Sequence, residues 1–320
     1  MRAALTILAI LILFAGVACA AVIALTAPKP PAAMASVSRS FDGVDYGGMP
    51  GKRHFAARDG TDLVYRAYPG DPLRIVVVVH GSSGTTASVH PLARAIHAGG
   101  ATVYAVAMRG HDETGRSGDI DYVGQLDDDL VDFIKTLGPR AAGQTRTLLG
   151  FSSGGGFVLR FAGGPNGGLF DRVILVSPQL AYNAPTSRPG AGGWVSVSIP
   201  RIIALSLLSR IGITAFNGLP VLAMAVDPAR LATSKQTAFY SYRLWRNFGP
   251  SDDYQADLKR FRGPMSLFVG AQDEIFRAEQ YAPLLKPVRP DLAVTVLPGI
   301  DHMGMTLRPA ALEAIAAAIN

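Results

Sequence analysis

The chain has 320 residues, of which 49% are hydrophobic and 17% are charged, and its formal net charge is +6. This length is enough for one large domain, or for one domain with an insertion. No cluster of Lys and Arg with interleaved aromatic residues is present, which argues against nucleic-acid binding. The single cysteine, Cys19, excludes an intrachain disulfide and a metal site built from cysteines.

The N-terminal segment, residues 1–27, is predicted to be a membrane anchor. Residues 3–27 contain no charged side chain, and Ala3–Leu25 is almost wholly apolar. At 1.5 Å per residue, a helix of this length spans the roughly 30 Å hydrocarbon core of a bilayer. The positive charge of Arg2 and of the amino terminus favours a cytoplasmic start. We therefore expect a protein of the bacterial inner membrane whose main domain lies on the periplasmic side.

Two other interpretations of this segment remain open. A cleavable signal peptide fits Ala18-Cys19-Ala20, because small residues precede the cut in such signals. A lipoprotein signal at Cys19 fits less well, since the usual leading Leu is absent and apolar residues continue beyond the cysteine. The length of the apolar run favours the uncleaved anchor.

Residues 28–50 are rich in Pro, Ala, Ser and Gly and show no apolar period, which predicts a linker. Beyond it, in residues 51–178 and again in 263–320, strand-like and helix-like segments alternate. Asp59-Gly60 separates two short strand segments, as a hairpin turn does. The other predicted strands are RIVVVVHG, ATVYAVAM, RTLLG, RVILVS, MSLFV and AVTVL, and helices are predicted at Ser88–Ala98, Val123–Leu137, FVLRFA and PAALEAIAAAI.

This alternation predicts an α/β fold with a mostly parallel sheet of about eight strands and helices on both faces. The pattern breaks over residues 179–262, where the composition is helical and the apolar stretches IPRIIALSLL and LPVLAMAV occur. We predict that this segment is a helical cap inserted over the edge of the sheet. A second membrane span is not expected there, because Arg201, Arg210 and Pro220 interrupt the apolar stretches.

A serine nucleophile is indicated by Gly150-Phe151-Ser152-Ser153-Gly154, which fits the pattern G-x-S-x-G on Ser152 and not on Ser153. In this motif the serine lies on a sharp turn between a strand and a helix, and small residues on either side let the chain fold tightly. RTLLG supplies the strand and the residues after Ser152 supply the helix, whose N-terminus favours developing negative charge. The alternative is an ordinary glycine-rich turn.

A serine hydroxyl needs a general base, and the base needs an acid that orients it. Among the six histidines only His302 follows Ser152, and it lies just beyond the last predicted strand. Asp273 follows the strand MSLFV and is the predicted acid. Its neighbour Glu274 is the main alternative, whereas Asp301 is too close to His302 in sequence.

The oxyanion formed by attack on a carbonyl needs preorganised N–H donors. We predict the backbone N–H groups of Ser82, in the loop after RIVVVVHG, and of Ser153. His80, which ends that strand, is predicted to be structural. The loop of residues 109–117, RGHDETGRS, is expected to be a solvated acidic turn rather than a substrate contact.

From Phe55 to the C-terminus the chain resembles the α/β-hydrolases, in particular the monoacylglycerol lipase and lysophospholipase-like group. The resemblance rests on the His-Gly loop, the RGH segment, the G-x-S-x-G turn, and Asp273 and His302 in the same order. Relatives carry a compact Arg-Gly-His-Gly-x-Ser, whereas here Asp112-Glu113-Thr114 is inserted after Arg109-Gly110-His111. The resemblance implies that the segment 179–262 forms an acyl pocket.

The expected function is that of a serine hydrolase with the triad Ser152, Asp273 and His302, which cleaves a carboxylic ester near a lipid surface. A monoacylglycerol or a lysophospholipid is the expected substrate. A peptidase, thioesterase or amidase with the same triad remains open, as does a binding protein without turnover on this fold. No metal or nucleotide motif is visible, so no cofactor is expected, and the sequence does not indicate an oligomeric state.

Overall fold

The computed structural model describes residues 1–229, 231 and 235–319. Four residues of the predicted cap, 230 and 232–234, lie outside this description. The strands are β1 (Arg53–Ala56), β2 (Asp62–Tyr68), β3 (Asp71–Val79), β4 (Ala101–Val106), β5 (Thr145–Phe151), β6 (Arg172–Val176), β7 (Val195–Val197), β8 (Pro220–Met224), β9 (Phe239–Ser241), β10 (Met265–Gly270) and β11 (Ala293–Leu297). The α-helices are α1 (Arg2–Leu25), α2 (Ala35–Ser38), α3 (His90–Ala98), α4 (Gln125–Thr136), α5 (Ser153–Ala162), α6 (Ile199–Arg210), α7 (Tyr242–Asn247), α8 (Tyr254–Arg260), α9 (Tyr281–Leu285), α10 (Gly304–Leu307) and α11 (Pro309–Ala317).

The main sheet has eight strands in the order β1-β2-β4-β3-β5-β6-β10-β11. In this order, each strand from β4 onward runs parallel to the next, and β2 runs antiparallel to both β1 and β4. The hairpin predicted at Asp59-Gly60 joins β1 to β2, with Gly60 at φ +81°. The predicted mostly parallel, eight-stranded sheet is confirmed.

The carboxyl-terminal halves of the central strands are apolar because both faces of the sheet are covered there. Val77 and Val78 of β3 and Leu148 and Leu149 of β5 are completely buried. The step from β3 to β4 runs in one direction across the sheet and the step from β5 to β6 in the other. Since such crossovers are right-handed, α3 and α5 cover opposite faces.

This topology places the candidate site. From β3 the chain connects to β4 on one side, and it then crosses back to β5 on the other side of β3. The loops at the carboxyl ends of β3 and β5 therefore leave in opposite directions. In open α/β sheets such a point opens a crevice in which ligands bind. The loop after β3 carries Ser82 and the turn after β5 carries Ser152. Asp273 and His302 follow β10 and β11, so all four residues lie at the same edge of the sheet.

The segment 179–262 is not wholly helical. It contains α6, α7 and α8, but also an antiparallel three-stranded sheet in the order β7-β8-β9. The helical prediction for LPVLAMAV was therefore wrong, because its first residues form β8. Short apolar runs do not distinguish a strand from a buried helix, and here the strands on both sides of β8 bond its main chain.

The most apolar 18-residue window of helix α1 has a mean hydropathy of 3.0. The helix is long and apolar enough to cross a membrane, although a signal sequence has the same properties. Most of its side chains are exposed, but its C-terminal end packs against α6. The guanidinium of Arg201 donates to the carbonyl oxygen of Ile23, and the hydroxyl of Ser198 donates to that of Thr26. These bonds satisfy carbonyl groups that a helix end leaves unpaired.

Part of the predicted linker, residues 28–50, also packs on the folded protein. It includes α2 and a 3₁₀ helix at Arg39–Phe41. The N–H of Met34 donates to the carbonyl oxygen of Ala225 at 3.1 Å, and Val37 is buried. The segment therefore runs alongside the cap before it reaches β1.

Candidate active site

The turn after β5 holds Ser152 in an uncommon backbone conformation, with φ +57° and ψ −121°. A side chain at Gly150 would overlap the carbonyl oxygen of Gly154, and one at Gly154 would overlap that of His80. The two glycines of the G-x-S-x-G pattern are therefore required by close packing of the main chain. The strained serine lies at the N-terminus of α5, with its side chain at the cavity described below.

Ser152, His302 and Asp273 form a hydrogen-bonded series. The distance from Ser152 Oγ to His302 Nε2 is 3.1 Å, and that from His302 Nδ1 to Asp273 Oδ2 is 2.8 Å. All three residues are buried, with 7% or less of their surface exposed. A carboxylate only accepts hydrogen bonds, so Nδ1 carries the imidazole proton and Nε2 is free to accept one from the serine hydroxyl.

The orientation of Asp273 is set by its main-chain partners. Its Oδ1 accepts hydrogen bonds from the N–H groups of Ile275 and Phe276 at 2.9 and 2.8 Å. Burial raises the pKa of Asp273, but the interaction with His302 and these hydrogen bonds outweigh it and hold the pKa below its usual range. The carboxyl group therefore stays ionised at neutral pH.

The alternative acid, Glu274, does not reach the imidazole nitrogens. Its Oε2 accepts a hydrogen bond from the backbone N–H of His302 at 3.0 Å. The ring of His302 packs between Phe151 and Phe276, with centroid distances of 4.8 and 5.4 Å. Glu274 thus holds the main chain of His302, while Asp273 contacts its side chain.

Ser82 and Ser153, the predicted oxyanion donors, line the same cavity as Ser152. Within the described part of the chain, neither backbone N–H donates to a protein acceptor. Trp194 of the cap donates from its indole N–H to the hydroxyl of Ser82 at 3.0 Å. The assignment of these two N–H groups as oxyanion donors stays a prediction.

His80 links the loop after β3 to the loop after β4. Its Nδ1 lies 2.8 Å from the carbonyl oxygen of Gly81, and its Nε2 accepts a hydrogen bond from the N–H of Met108 at 3.1 Å. Burial lowers its pKa, which keeps the ring neutral, with the proton on Nδ1. These contacts are of the structural kind that we expected for His80.

A second chain of hydrogen bonds ties the same loop to the cap. The hydroxyl of Tyr240, on β9, accepts from the N–H of Ser83 at 2.8 Å and lies 2.6 Å from Nε2 of His111. Burial lowers the pKa of His111 well below its usual value, and His111 Nδ1 faces the carbonyl oxygens of Met108 and Arg109. His111 is therefore neutral and protonated on Nδ1, so the hydroxyl of Tyr240 donates to its Nε2.

Replacing Tyr240 with phenylalanine is expected to lower the free energy of unfolding by about 1–3 kcal/mol, because a buried N–H and a buried imidazole nitrogen lose their partner. Tyr242→Phe is the matched control. Among the described residues its hydroxyl bonds that of Ser206, at 2.9 Å in a partly buried place, so a loss below about 1 kcal/mol is expected. Chemical denaturation measures both values. Equal losses in the two variants would contradict the bridging role of Tyr240.

The expectation of a solvated acidic turn at residues 109–117 was wrong for its first half. Arg109 donates to both oxygens of Asp129 at 2.8 Å, and Oδ2 of Asp112 accepts from the N–H of Thr86 at 2.9 Å. Lys52 pairs with Asp112 at 2.8 Å. Arg109 and Asp112 are buried because these ion pairs and hydrogen bonds compensate the loss of water.

A cavity of about 250 Å³ lies above Ser152. Ser82 and Ser153 lie at its base, and most of the remaining wall comes from the cap. Its apolar lining includes Trp194, Val195, Val197, Leu222, Met224 and Phe248. A smaller cavity of about 30 Å³ adjoins Ser152 and His302 and is lined by Val37 and Phe41, so the segment before β1 also reaches the site.

No group of three or more His, Cys, Asp or Glu side chains that could hold a metal ion occurs among the described residues.

The sequence analysis did not predict the contacts of Trp194, His111 and Tyr240 at the site. His111 was visible as part of the RGH segment, but its partner Tyr240 lies 129 residues away. No local pattern in the sequence connects the two.

The eight-stranded sheet and the serine on its strand-to-helix turn define an α/β-hydrolase of the serine hydrolase type. A family model described as "Serine aminopeptidase, S33" matches residues 70–306, which is most of the chain, and the chain belongs to this family. A monoacylglycerol lipase of Mycolicibacterium smegmatis is 33% identical in an alignment of 132 positions that covers 39% of this chain and 46% of that protein. The aligned part thus spans less than half of this curated relative.

Two solved structures show the same fold. The monoacylglycerol lipase of Paleococcus ferrophilus superposes with a TM-score of 0.61 at 21% identity, over 80% of this chain and 98% of that chain. A soluble variant of the monoglyceride lipase of Saccharomyces cerevisiae superposes with a TM-score of 0.63 at 18% identity, over 86% of this chain and 94% of that chain. The predicted α/β-hydrolase fold, resembling the monoacylglycerol lipase group, is confirmed.

Proposed function

We propose that this hydrolase cleaves carboxylic esters through an acyl-enzyme. The observation that carries the proposal is the series of hydrogen bonds from Ser152 through His302 to Asp273 at the base of the cavity. Ser152 Oγ attacks the ester carbonyl while His302 takes its proton, and Asp273 holds the imidazole and stabilises its positive charge. The backbone N–H groups of Ser82 and Ser153 would hold the oxyanion.

The second half of the reaction uses the same groups. His302 gives its proton to the leaving alcohol, which departs and leaves the acyl group on Ser152. A water molecule then attacks the acyl-enzyme, with His302 as the base, and its proton returns to the serine oxygen as the acid is released. No cofactor enters this scheme.

The proposed substrate is a monoacylglycerol or a lysophospholipid. The mainly apolar lining of the cap suits an acyl chain, and the relatives named above include monoacylglycerol lipases. An aminopeptidase, which the family description names, is the second candidate. The carboxylate that lines the cavity, Asp252, is paired with Arg246 at 2.8 Å. The guanidinium of Arg246 offsets the negative charge that would attract the ammonium group of a peptide, and together with the apolar lining this favours the ester.

We also propose that residues 1–27 are an uncleaved anchor in a bacterial inner membrane, with the core (51–178 and 263–320) and the cap on the periplasmic side. The packing of the last turns of α1 against α6 supports retention of the segment. Residues 28–50 then link the membrane to the core along the side of the cap. The membrane is thus a partner as well as the proposed location of the substrate.

A fluorophosphonate probe tests the proposed function on the purified full-length protein in detergent. Label is expected on Ser152, and it is expected to disappear in His302→Ala. Turnover is then compared among a monoacylglycerol, a lysophosphatidylcholine, an acyl thioester and an aminoacyl anilide. Faster turnover of the anilide than of either lipid would favour the peptidase. A folded protein without label would contradict the hydrolase mechanism.

A further inference from the structure

The last two turns of α1 are part of the folded protein. Cys19 and Val22 are partly buried against the core, Ile23 is buried, and Thr26 receives the hydrogen bond from α6. These residues follow the spacing i, i+3, i+4 and i+7, so they share one face of α1. The C-terminal end of the helix that would cross the membrane is therefore joined to α6 by the hydrogen bonds at Ile23 and Thr26.

Helix α6 and the loop after it present an apolar face to the outside of the protein. It is made of the side chains of Ile199, Ile203, Leu207, Ile211, Ile213 and Phe216, which are between 39% and 72% exposed. The first four are spaced four residues apart, so they follow one side of the helix. The opposite side, with Ile202 and Leu205, is buried in the cap. Exposed apolar patches of this extent mark interaction sites.

The charges around this face suit a phospholipid surface. No Asp or Glu occurs between Asp171 and Asp227, a stretch that contains the whole face. The exposed Arg210 ends α6 beside the apolar side chains. An apolar face that is free of carboxylates and has an exposed arginine at its end is suited to a lipid interface.

The depth of α6 in the proposed bilayer follows from its contact with α1. About twenty residues at 1.5 Å cover the roughly 30 Å hydrocarbon core, so a span that starts at Ala3 reaches the outer boundary near Val22. The hydrogen bonds that join α1 to α6 begin at Ile23, which lies at that boundary. Helix α6 would then lie at the level where the acyl chains meet the headgroups.

We propose that the exposed face of α6 and the loop after it dock into the outer leaflet of a lipid bilayer beside the end of α1. This inference rests on the proposed membrane anchor and extends it, because the cap itself becomes a membrane-contacting element. Strand β7, which lines the cavity with Val195 and Val197, directly precedes α6. Docking therefore holds the wall of the cavity next to the lipid that is to be hydrolysed.

Single labels test the depth of α6 in the full-length protein. In a Cys19→Ser background, Ile203→Cys and Leu207→Cys are labelled with an environment-sensitive fluorophore and reconstituted in phosphatidylcholine vesicles with a minority of phosphatidylglycerol. Leu73→Cys, at the amino end of β3, is the aqueous control, and Phe14→Cys is the control for the membrane span. At positions 203 and 207 we expect blue-shifted emission, protection from aqueous iodide and quenching by lipids that carry a shallow nitroxide.

Three outcomes overturn the proposal. Iodide quenching at 203 and 207 equal to that at Leu73, with Phe14 in the bilayer, would mean that the anchor is inserted but the cap stays in water. Protection from iodide without quenching by nitroxide lipids would mean that protein, such as a second copy, covers the face. A label at Phe14 outside the bilayer would remove the anchor on which the docking depends.

A kinetic readout separates docking from catalysis. In Ile203→Ser/Leu207→Ser, hydrolysis of a monoacylglycerol held in the same vesicles is expected to fall about tenfold, because apolar area is lost from the docking face. Hydrolysis of a soluble short-chain ester is expected to be unchanged, and Leu73→Ser is expected to change neither rate. Equal loss on both substrates would contradict docking. Failure of the wild-type protein to cleave the soluble ester would contradict the proposed function, while the label depths would still decide the docking.

Discussion

Replacing Ser152 with alanine is expected to lower kcat for an ester by on the order of 10⁵–10⁶-fold, the scale seen when the nucleophile of a serine triad is removed. The hydroxyl is the only group of the series that can form the bond to the acyl carbon, and His302 has no other hydroxyl within hydrogen-bond distance of its Nε2 among the described residues. Rates with a soluble chromogenic ester measure the effect.

Ser153→Ala is the matched control, because it changes the neighbouring serine and keeps the backbone N–H. Its hydroxyl is buried and has no hydrogen-bond partner within the described chain, so a lowered but measurable activity is expected. Activity that is abolished in Ser153→Ala and retained in Ser152→Ala would show that the nucleophile has been placed on the wrong residue.

Replacing Asp273 with asparagine is expected to lower kcat by on the order of 10⁴-fold, with the fold preserved. The N–H groups of Ile275 and Phe276 require an acceptor, so the amide oxygen of the asparagine takes the place of Oδ1. Its NH₂ group must then face Nδ1 of His302. This imposes the tautomer with the proton on Nε2, which cannot accept the proton of Ser152.

Glu274→Gln is the control for this variant. The glutamine oxygen can still accept the hydrogen bond from the backbone N–H of His302, so less than a tenfold change is expected. Steady-state kinetics on both variants, with circular dichroism to check folding, decide the assignment. If Glu274→Gln lost as much activity as Asp273→Asn, the two carboxylates would have to exchange roles.

The strands of the main sheet were predictable because each one has a short apolar run in its own sequence. The run Ile75–Val79 is apolar on both faces, and helices within two residues of those predicted at Ser88–Ala98 and Val123–Leu137 follow from apolar spacing. The residues of the candidate site were predictable for two reasons. Ser152 lies in a local G-x-S-x-G pattern, and His302 is the only histidine that follows Ser152 in the sequence.

The cap was harder to predict because its strands depend on partners that are distant in sequence. β8 pairs with β7 and β9, and its own residues carry no signal that separates a strand from a helix. The bonds from Tyr240 to Ser83 and from Trp194 to Ser82 cross more than a hundred residues of chain. The burial of Asp112 was missed for a similar reason, since Lys52 and Thr86 come from two other loops.

The backbone of Ser152 has a consequence for the evolution of this chain. A non-glycine residue in such a conformation costs on the order of 1–3 kcal/mol, and glycine adopts it without that penalty. A descendant that no longer needs the hydroxyl would thus gain thermal robustness from Ser152→Gly, so selection for stability alone acts against the nucleophile. A serine kept at this position despite the penalty is what the proposed role of Ser152 as the nucleophile requires.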